Sequence, residues 1–108
     1  MINFEDFTKL DIRIGTIVLA EKVPEADRLL RLMVDVDEEE DRQIVSGIAE
    51  HFPEPEVLVG RQVPVLLNLE PRTIRGVESQ GMILYVVGSD TLTTLSPEEK
   101  VQNGTPVK

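Results

Sequence analysis

The sequence predicts a small all-β barrel, because it contains five short β-like segments separated by turn-forming residues and no long helical pattern. Its 108 residues suit a single domain, residues 1–108, with one hydrophobic core. Apolar residues make up 41% of the chain and charged residues 29%, a balance that is typical of a folded globular protein.

The first strand is predicted over residues 10–20 (LDIRIGTIVLA). Leu10, Ile12 and Ile14 alternate with charged side chains, which is the pattern of a strand with one buried face. Gly15 then interrupts the run and indicates a bulge or a sharp bend.

A hairpin is predicted to follow this strand. A turn at residues 22–27 leads into a strand at residues 30–36. Residues 37–41 (DEEED) are expected at the hairpin tip, because a run of like charges must remain in water. The return strand is predicted at residues 43–46, and residues 47–52 suit a single helical turn that the following prolines end.

Two further strands complete the predicted barrel. Residues 63–69 (VPVLLNL) form the fourth strand, with Pro64 expected at an edge, a strand start or a bulge. Residues 81–87 (GMILYVV) form the fifth. Five short strands with turns at regular spacing favour the oligonucleotide/oligosaccharide-binding (OB) barrel, with short helical turns and a C-terminal extension.

The C-terminal extension is predicted over residues 89–108, after a barrel over residues 1–88. A β-like stretch occupies residues 91–95, and Ser96 followed by Pro97 predicts the start of a helix. The extension alternates apolar residues with turn-forming residues. It therefore either packs on its own barrel or forms a dimer interface, and the pattern alone leaves both open.

No catalytic or metal site is expected. The chain has no cysteine, which excludes disulfides, thiolate metal sites and a cysteine nucleophile. Its single histidine, His51, stands beside a proline turn with no recognisable serine partner. No spacing resembles a zinc site, a P-loop or a dinucleotide fingerprint. We therefore predict a protein that is not an enzyme and needs no cofactor.

The sequence is also typical of a cytoplasmic protein with no membrane partner. No apolar stretch approaches the ~20 residues needed to span a bilayer. The N-terminus lacks the basic region and apolar core of a signal peptide. The absence of cysteine fits the same compartment.

The formal net charge of −9 argues against a general nucleic-acid binder. The acidity is concentrated between Asp35 and Asp41, however, so the composition allows a local basic face elsewhere. Three phenylalanines, one tyrosine and no tryptophan argue against base stacking on an aromatic platform as the main binding mode.

Residues 68–84 (NLEPRTIRGVESQGMIL) are the most informative stretch. They predict a loop between two strands that carries Arg72 and Arg75, and Arg28 lies at a loop–strand junction where it could join them. Guanidinium groups on a loop held by rigid strands suit phosphate docking. The alternative is that these are ordinary surface arginines, paired with nearby glutamates such as Glu25, Glu70 or Glu78.

Three segments resemble the small tRNA-binding domain of many methionyl-tRNA synthetases and of free-standing structure-specific tRNA-binding proteins. They are DIRIGTIVLAEKVPEADRLLRLMVDV (11–36), QIVSGIAEHFPEPEVLVGRQVPVLLNLEPR (43–72) and GVESQGMIL (76–84). The resemblance covers nearly the whole chain and implies an OB barrel with C-terminal additions. It also implies a homodimer that grips the folded shape of tRNA, and an aminoacyl-tRNA synthetase as a further partner.

The resemblance further implies which residues contact tRNA. Ser79 and Met82 match the SxGM signature of the family, Asn68 matches an asparagine at the end of the fourth strand, and Arg28 stands where lysine is usual. The expected tRNA-binding residues are Arg28, Asn68, Arg72, Arg75, Ser79 and Met82. The arginines would contact phosphates, Asn68 and Ser79 would form hydrogen bonds, and Met82 would meet a ribose or a base.

Two departures from the family pattern bear on affinity. Thr73 stands where many relatives carry lysine, which removes one expected phosphate contact. The acidic residues 37–41 replace a shorter, glycine-containing hairpin. The sequence leaves open whether this acidic tip faces the RNA.

The predicted function is non-catalytic, structure-specific tRNA binding, either in trans or as an appendage or beta-subunit-like module of a methionyl-tRNA synthetase. The alternative is a CsaA-type, export-related chaperone that binds unfolded peptides, because that group shares the fold and an N-terminus similar to NFEDFTKLDIRIG. A third reading is a protein-docking appendage that has lost RNA binding.

Overall fold

The computed structural model describes all 108 residues, and most of its regular structure consists of short strands joined by turns. One helix, α1, precedes nine strands, and two 3-10 turns lie between the third and fourth strands. The elements are α1 (Phe4–Thr8), β1 (Ile12–Lys22), β2 (Leu30–Asp35), β3 (Arg42–Ser46), the 3-10 turns Ala49–His51 and Pro55–Leu58, β4 (Gln62–Leu66), β5 (Arg72–Ile74), β6 (Val77–Ser79), β7 (Met82–Ile83), β8 (Tyr85–Val87) and β9 (Leu92–Thr94). None of the helical segments has the length and apolar character that crossing a membrane requires.

Five strands form one antiparallel sheet in the order β3-β2-β1-β4-β7, which confirms the predicted five-stranded barrel. Strand β1 is long enough to serve two neighbours, because residues 12–16 pair with β4 and residues 16–22 pair with β2. Gly15 directly precedes Thr16, the residue at which β1 changes its pairing from β4 to β2. A Cβ at Gly15 would lie only 2.6 Å from Val36 Cγ1, so a larger residue would clash there. The register shift itself falls between Ile17 and Leu19.

The core lies inside this curled sheet, and every one of its five strands contributes to it. Its apolar members are Ile17, Leu30, Leu32, Val34, Val36, Ile44, Ile48, Ala49, Leu58, Val63, Val65, Leu67 and Ile83. In β2 the buried residues alternate with half-buried ones, as expected of a strand with one face inward. Strand β4 is buried along its whole length, because the tail covers its outer face.

Pro64 lies inside β4, which is hydrogen-bonded to β1 on one side and to β7 on the other. Its partner on β1 is Ile14, whose backbone N–H and C=O bond instead to Thr105 and Gly104 of the tail. The pairing therefore requires no donor from Pro64, which explains why a proline is tolerated in a central strand.

Residues 101–107 run back along the barrel of their own chain. Val107 N donates to Ile12 O, and Arg13 pairs with Pro106 in an isolated bridge. The buried Gln62 side chain accepts from Val101 N and donates to Val101 O, at 3.0 and 2.7 Å. Together these bonds attach the tail to β1 and β4.

Two local predictions differ from the structure, and one helix was not predicted. The predicted fifth strand is interrupted at Leu84, whose N–H turns to Pro64 O, and it becomes β7 and β8. The helix predicted at Ser96 does not form, because the Ser96 hydroxyl donates to Gln62 O instead of capping a helix. Helix α1 was not predicted, although Asn3 and Asp6 form a capping box at its start.

Candidate nucleic-acid interface

The segment predicted as an arginine-bearing loop is a short β-hairpin. Strands β5 and β6 are antiparallel, with Arg72 opposite Ser79 at one end and Ile74 opposite Val77 at the other. Only Arg75 and Gly76 therefore form the turn. Both residues have positive φ, 52° and 78°, which is the geometry of a type I′ turn. The turn places the Arg75 side chain, which is exposed, at the hairpin tip.

A cavity of about 300 Å³ lies between this hairpin and the end of β3. Apolar groups make up much of its wall, and Arg72 lines it from β5. Its lining residues are Val45, Ser46, Gly47, Ile48, Leu69, Glu70, Arg72, Ile74, Ser79, Gly81, Met82, Ile83 and Tyr85. Four of the residues predicted from sequence are thus in or beside one site, namely Arg72, Arg75, Ser79 and Met82.

Arg28 lies close to the β3 side of the same cavity. Its backbone C=O accepts a hydrogen bond from Ala49 N at 3.1 Å, and Ala49 directly follows the cavity residue Ile48. Its exposed guanidinium group is 3.1 Å from the Glu50 carboxylate. An exposed pair of this kind is weak and opens readily, so Arg28 is available to a phosphate.

Ser79 is buried, and both of its hydrogen-bonding functions are used inside the protein. Its hydroxyl oxygen accepts from Val45 N at 3.0 Å, and its proton is donated to Gly81 O at 3.1 Å. The hydroxyl thereby joins β3, the edge strand of the sheet, to the chain before β7. In this structure Ser79 closes the barrel and does not present its hydroxyl to the surface.

The two residues after Ser79 extend this closure. Gln80 N donates to Gln43 O at 2.8 Å, and Gln43 N donates to the side-chain Oε1 of Gln80 at 3.0 Å. Gly81 has φ 131°, and a Cβ there would lie 2.7 Å from Leu66 O. Residues 79–81 therefore form a barrel seam, which accounts physically for the serine and the glycine of the SxGM signature.

Asn68 is also bound within the chain. Its side-chain oxygen accepts from Asp11 N at 2.9 Å, and its amide nitrogen donates to Lys9 O at 2.6 Å. The side chain thus attaches the start of β1 to the end of β4. The structure does not bring Asn68 into the cavity lining.

Met82 differs from these buried residues because 43% of its surface is exposed. It pairs with Leu66 in the β4–β7 ladder while its side chain lies on the cavity rim. An exposed thioether on a strand contributes little to the core. Its position suits contact with a ligand.

The acidic hairpin tip lies on the other side of the β5–β6 hairpin. Residues 38–41 share a cleft with Pro71, Glu78 and Gln80, whereas Arg72 faces the cavity described above. Within this cleft Arg42 forms a bidentate pair with Glu38, at 2.7 and 2.8 Å. The hydrogen bond from Arg42 lowers the pKa of Glu38 below its ordinary 4.5.

Sequence reasoning missed two polar residues of the cavity, Ser46 and Tyr85. Their hydroxyls are 2.9 Å apart, and burial raises the pKa of Tyr85 to about 12, so the phenol is protonated at neutral pH. Both residues sit in apolar strand segments, and only their pairing across the barrel reveals a polar site. No sequence signal points to them.

The chain is similar to known proteins over nearly its whole length. The family model described as "Putative tRNA binding domain" matches residues 12–106. A methionine–tRNA ligase of Methanococcoides burtonii is 53% identical over 106 residues, which cover 97% of this chain and 15% of that protein. The chain thus spans about 15% of the length of the curated relatives it matches.

Two solved structures share the entire fold. The MetRS related protein from Pyrococcus horikoshii superimposes with a TM-score of 0.91 at 34% identity, and the match covers 100% of this chain and 98% of that one. The chaperone CsaA from Bacillus anthracis str. Ames superimposes with a TM-score of 0.87, also at 34% identity, with 100% and 99% coverage.

Proposed function

This chain belongs to the tRNA-binding domain family, and from that membership we propose that it binds tRNA as a non-catalytic module that recognises the folded shape of the molecule. The observation that carries the proposal is the exposed Arg72 in the cavity lining of a domain from this family, with the exposed Arg75 at the tip of the same hairpin. The exposed Arg28 is hydrogen-bonded through its backbone to Ala49, the residue next to the lining residue Ile48. Recognition of RNA shape depends on phosphates, ribose hydroxyls and geometry, and it needs no aromatic platform.

The proposed contacts divide the predicted residues into two groups. Arg28, Arg72 and Arg75 bind phosphates, and Met82 makes an apolar contact with a ribose or a base. Asn68 and Ser79 act as positioning residues, because their side chains hold the chain that carries the contacts. A water-mediated contact from the exposed Asn68 is compatible with this arrangement.

The acidic cleft gives the proposed RNA a preferred approach. Residues 38–41 and Glu78 repel phosphates from one side of the β5–β6 hairpin, whereas the cavity side carries Arg72. RNA therefore approaches from the cavity side. This polarity reconciles a net charge of −9 with binding to a polyanion.

We further propose that the protein acts as a homodimer in the cytoplasm. Helix α1, the residues that join it to β1, and the tail expose neighbouring apolar side chains, among them Phe4 (77% exposed), Leu10 (45%) and Val107 (39%), which line one surface depression. Burying them against a second copy would remove apolar surface from water. In this proposal the inner face of residues 89–108 packs on their own barrel, and their outer face forms the interface with the second copy.

A methionyl-tRNA synthetase is the proposed partner enzyme. The support is the similarity to methionine–tRNA ligases over nearly the whole chain. The module would deliver tRNA to such an enzyme or retain tRNA near it, either in trans or as an appendage of the enzyme. A synthetase that lacks such a domain should therefore aminoacylate tRNA with a lower KM when this protein is added.

Peptide binding is the second candidate function. The observation that favours it is the match to the chaperone CsaA, combined with a cavity whose wall is largely apolar. An acidic protein would suit basic, unfolded segments. This candidate predicts that an unfolded basic peptide competes with tRNA.

The deciding experiment is binding of folded tRNA across a salt series, with unstructured RNA of equal length as competitor. Each phosphate neutralised on a helical surface contributes about −0.9 to the slope of log affinity against log salt. Arg72→Gln and Arg75→Gln should each reduce the slope by about that amount. Lys100→Gln, an equal change of charge on the tail, should leave the slope unchanged. Absence of binding at low salt would dismiss the tRNA function.

The dimer has a separate test. Sedimentation of a double variant, Phe4→Asp with Leu10→Asp, should show monomers, whereas Val57→Asp, at an exposed apolar position of a 3-10 turn, should sediment as the parent does. A parent protein that is monomeric at micromolar concentration would rule out the homodimer.

A further inference from the structure

We propose that the cavity between the β5–β6 hairpin and the end of β3 receives one unstacked nucleobase of the bound RNA, while Arg72 contacts the adjoining phosphate. This inference rests on the proposed tRNA binding and specifies what the site recognises. It assigns to the domain a base-binding pocket in addition to its phosphate contacts.

The size and the wall of the cavity suit a base. A volume of about 300 Å³ accommodates one nucleobase with part of its ribose. Leu69, Ile74 and the exposed Met82 provide apolar contacts on the rim and wall. Unpaired bases that are splayed out of an RNA loop are the usual targets of such surfaces.

The cavity lining contains several groups that can donate hydrogen bonds. Ser46 and Tyr85 share one hydrogen bond, so one of their two hydroxyl protons is free whichever of them donates. The backbone N–H groups of Gly47 and Ile48 have no acceptor within the protein. These donors suit the ring nitrogens and carbonyl oxygens along the edge of a nucleobase. Glu70, the one carboxylate in the lining, would accept from an exocyclic amino group.

The charges around the cavity complement a nucleotide. Arg72 lines the cavity, and Arg28 lies beside its β3 wall through the bond to Ala49. A base inserted into the cavity would carry one adjoining phosphate toward the Arg72 guanidinium, and Arg28 would reach a second phosphate by leaving its exposed pair with Glu50. An arginine plane also stacks favourably on a base.

An extended peptide is disfavoured at this site because the edge of β3 is already occupied. Strand addition requires free backbone donors and acceptors. Val45 N is bonded to the Ser79 hydroxyl, and Gln43 N is bonded to the Gln80 side chain. The seam thus removes the ladder that a peptide strand would use, whereas a base needs only the cavity.

The test is chemical probing of unpaired bases in folded tRNA, free and saturated with this protein. We expect one unpaired base to lose reactivity at its Watson–Crick edge on binding. Met82→Ala should weaken binding about tenfold through the loss of apolar contact area, with an unchanged salt slope, and should restore the reactivity of that base at saturation. Val57→Ala, another exposed apolar position, should bind and protect as the parent does.

Each outcome decides the proposal. Tight, salt-dependent tRNA binding with no protected base, or with the same protection in Met82→Ala, would overturn the base pocket and leave the proposed function intact. Failure to bind tRNA at all would overturn both. Displacement of tRNA by an unfolded basic peptide, lost in Met82→Ala and without base protection, would assign the cavity to a peptide.

Discussion

Replacing Ser79 by alanine separates a structural role for this serine from a role in RNA contact. The change removes the acceptor of Val45 N and the donor to Gly81 O, both at a buried seam. Leaving a buried N–H without a partner costs about 1–3 kcal/mol. In a domain of this size each kcal/mol corresponds to roughly 4–8 °C in Tm, so a loss of about 2 kcal/mol lowers Tm by roughly 8–16 °C.

Urea unfolding followed by far-ultraviolet circular dichroism measures this loss at a fixed protomer concentration. With a slope m of about 2 kcal/mol/M, the midpoint should fall by about 1 M. Ser89→Ala, at an exposed serine with no side-chain hydrogen bond, is the matched control and should stay within about 0.5 kcal/mol of the parent. Ser79→Thr keeps the hydroxyl and should retain more stability than Ser79→Ala.

The informative comparison is between stability and affinity. Below its unfolding range, Ser79→Ala should bind tRNA with an unchanged salt slope, because the hydroxyl makes no outward contact. A variant as stable as the parent that binds tRNA tenfold more weakly would refute this reasoning. That result would return Ser79 to the RNA-contacting residues.

The remaining predictions concern the seam, the acidic hairpin and the Asn68 bridge. Gly81→Ala should lower stability by at least about 2 kcal/mol in thermal unfolding, since the new methyl group meets Leu66 O at a strained φ. Glu38→Gln should destabilise the protein at neutral pH, and the difference should shrink as the pH falls from about 4.5 and vanish only below the lowered pKa of Glu38. The reason is that the lowered pKa of Glu38 gives stability that is lost as pH falls through that pKa. Asn68→Ala should cost about 1–2 kcal/mol in urea unfolding, with tRNA affinity largely retained.

Much of the barrel was predictable because its strands carry a local signal. Alternating apolar residues in β1 and the solvated acidic tip between β2 and β3 place the first three strands to within two residues. The capping box at Asn3 is also a local signal, because its partner Asp6 lies three residues later, although helix α1 was not predicted from it. Ser96 shows the limit of such signals, because a competing acceptor on β4 uses the hydroxyl that would have capped a helix.

The candidate site was only partly predictable. Arg72, Arg75 and Met82 carry chemistry that is visible from residue type and from the family motif, and the structure leaves their side chains exposed. The motif does not distinguish a serine that touches RNA from one that closes the barrel. That distinction depends on whether Val45, distant in sequence, brings an unpaired N–H within 3.0 Å.

The sequence by itself determined the all-β class, the absence of thiol chemistry and the membership of a tRNA-binding family, because each follows from residue type, local spacing or motif order. Only the tertiary structure decided which side chains line the cavity and which are bonded within the barrel. Barrel closure buried Ser79, assembled the Ser46–Tyr85 pair and separated the acidic tip from the cavity. These outcomes arise from contacts between residues more than thirty positions apart, which local periodicity does not encode.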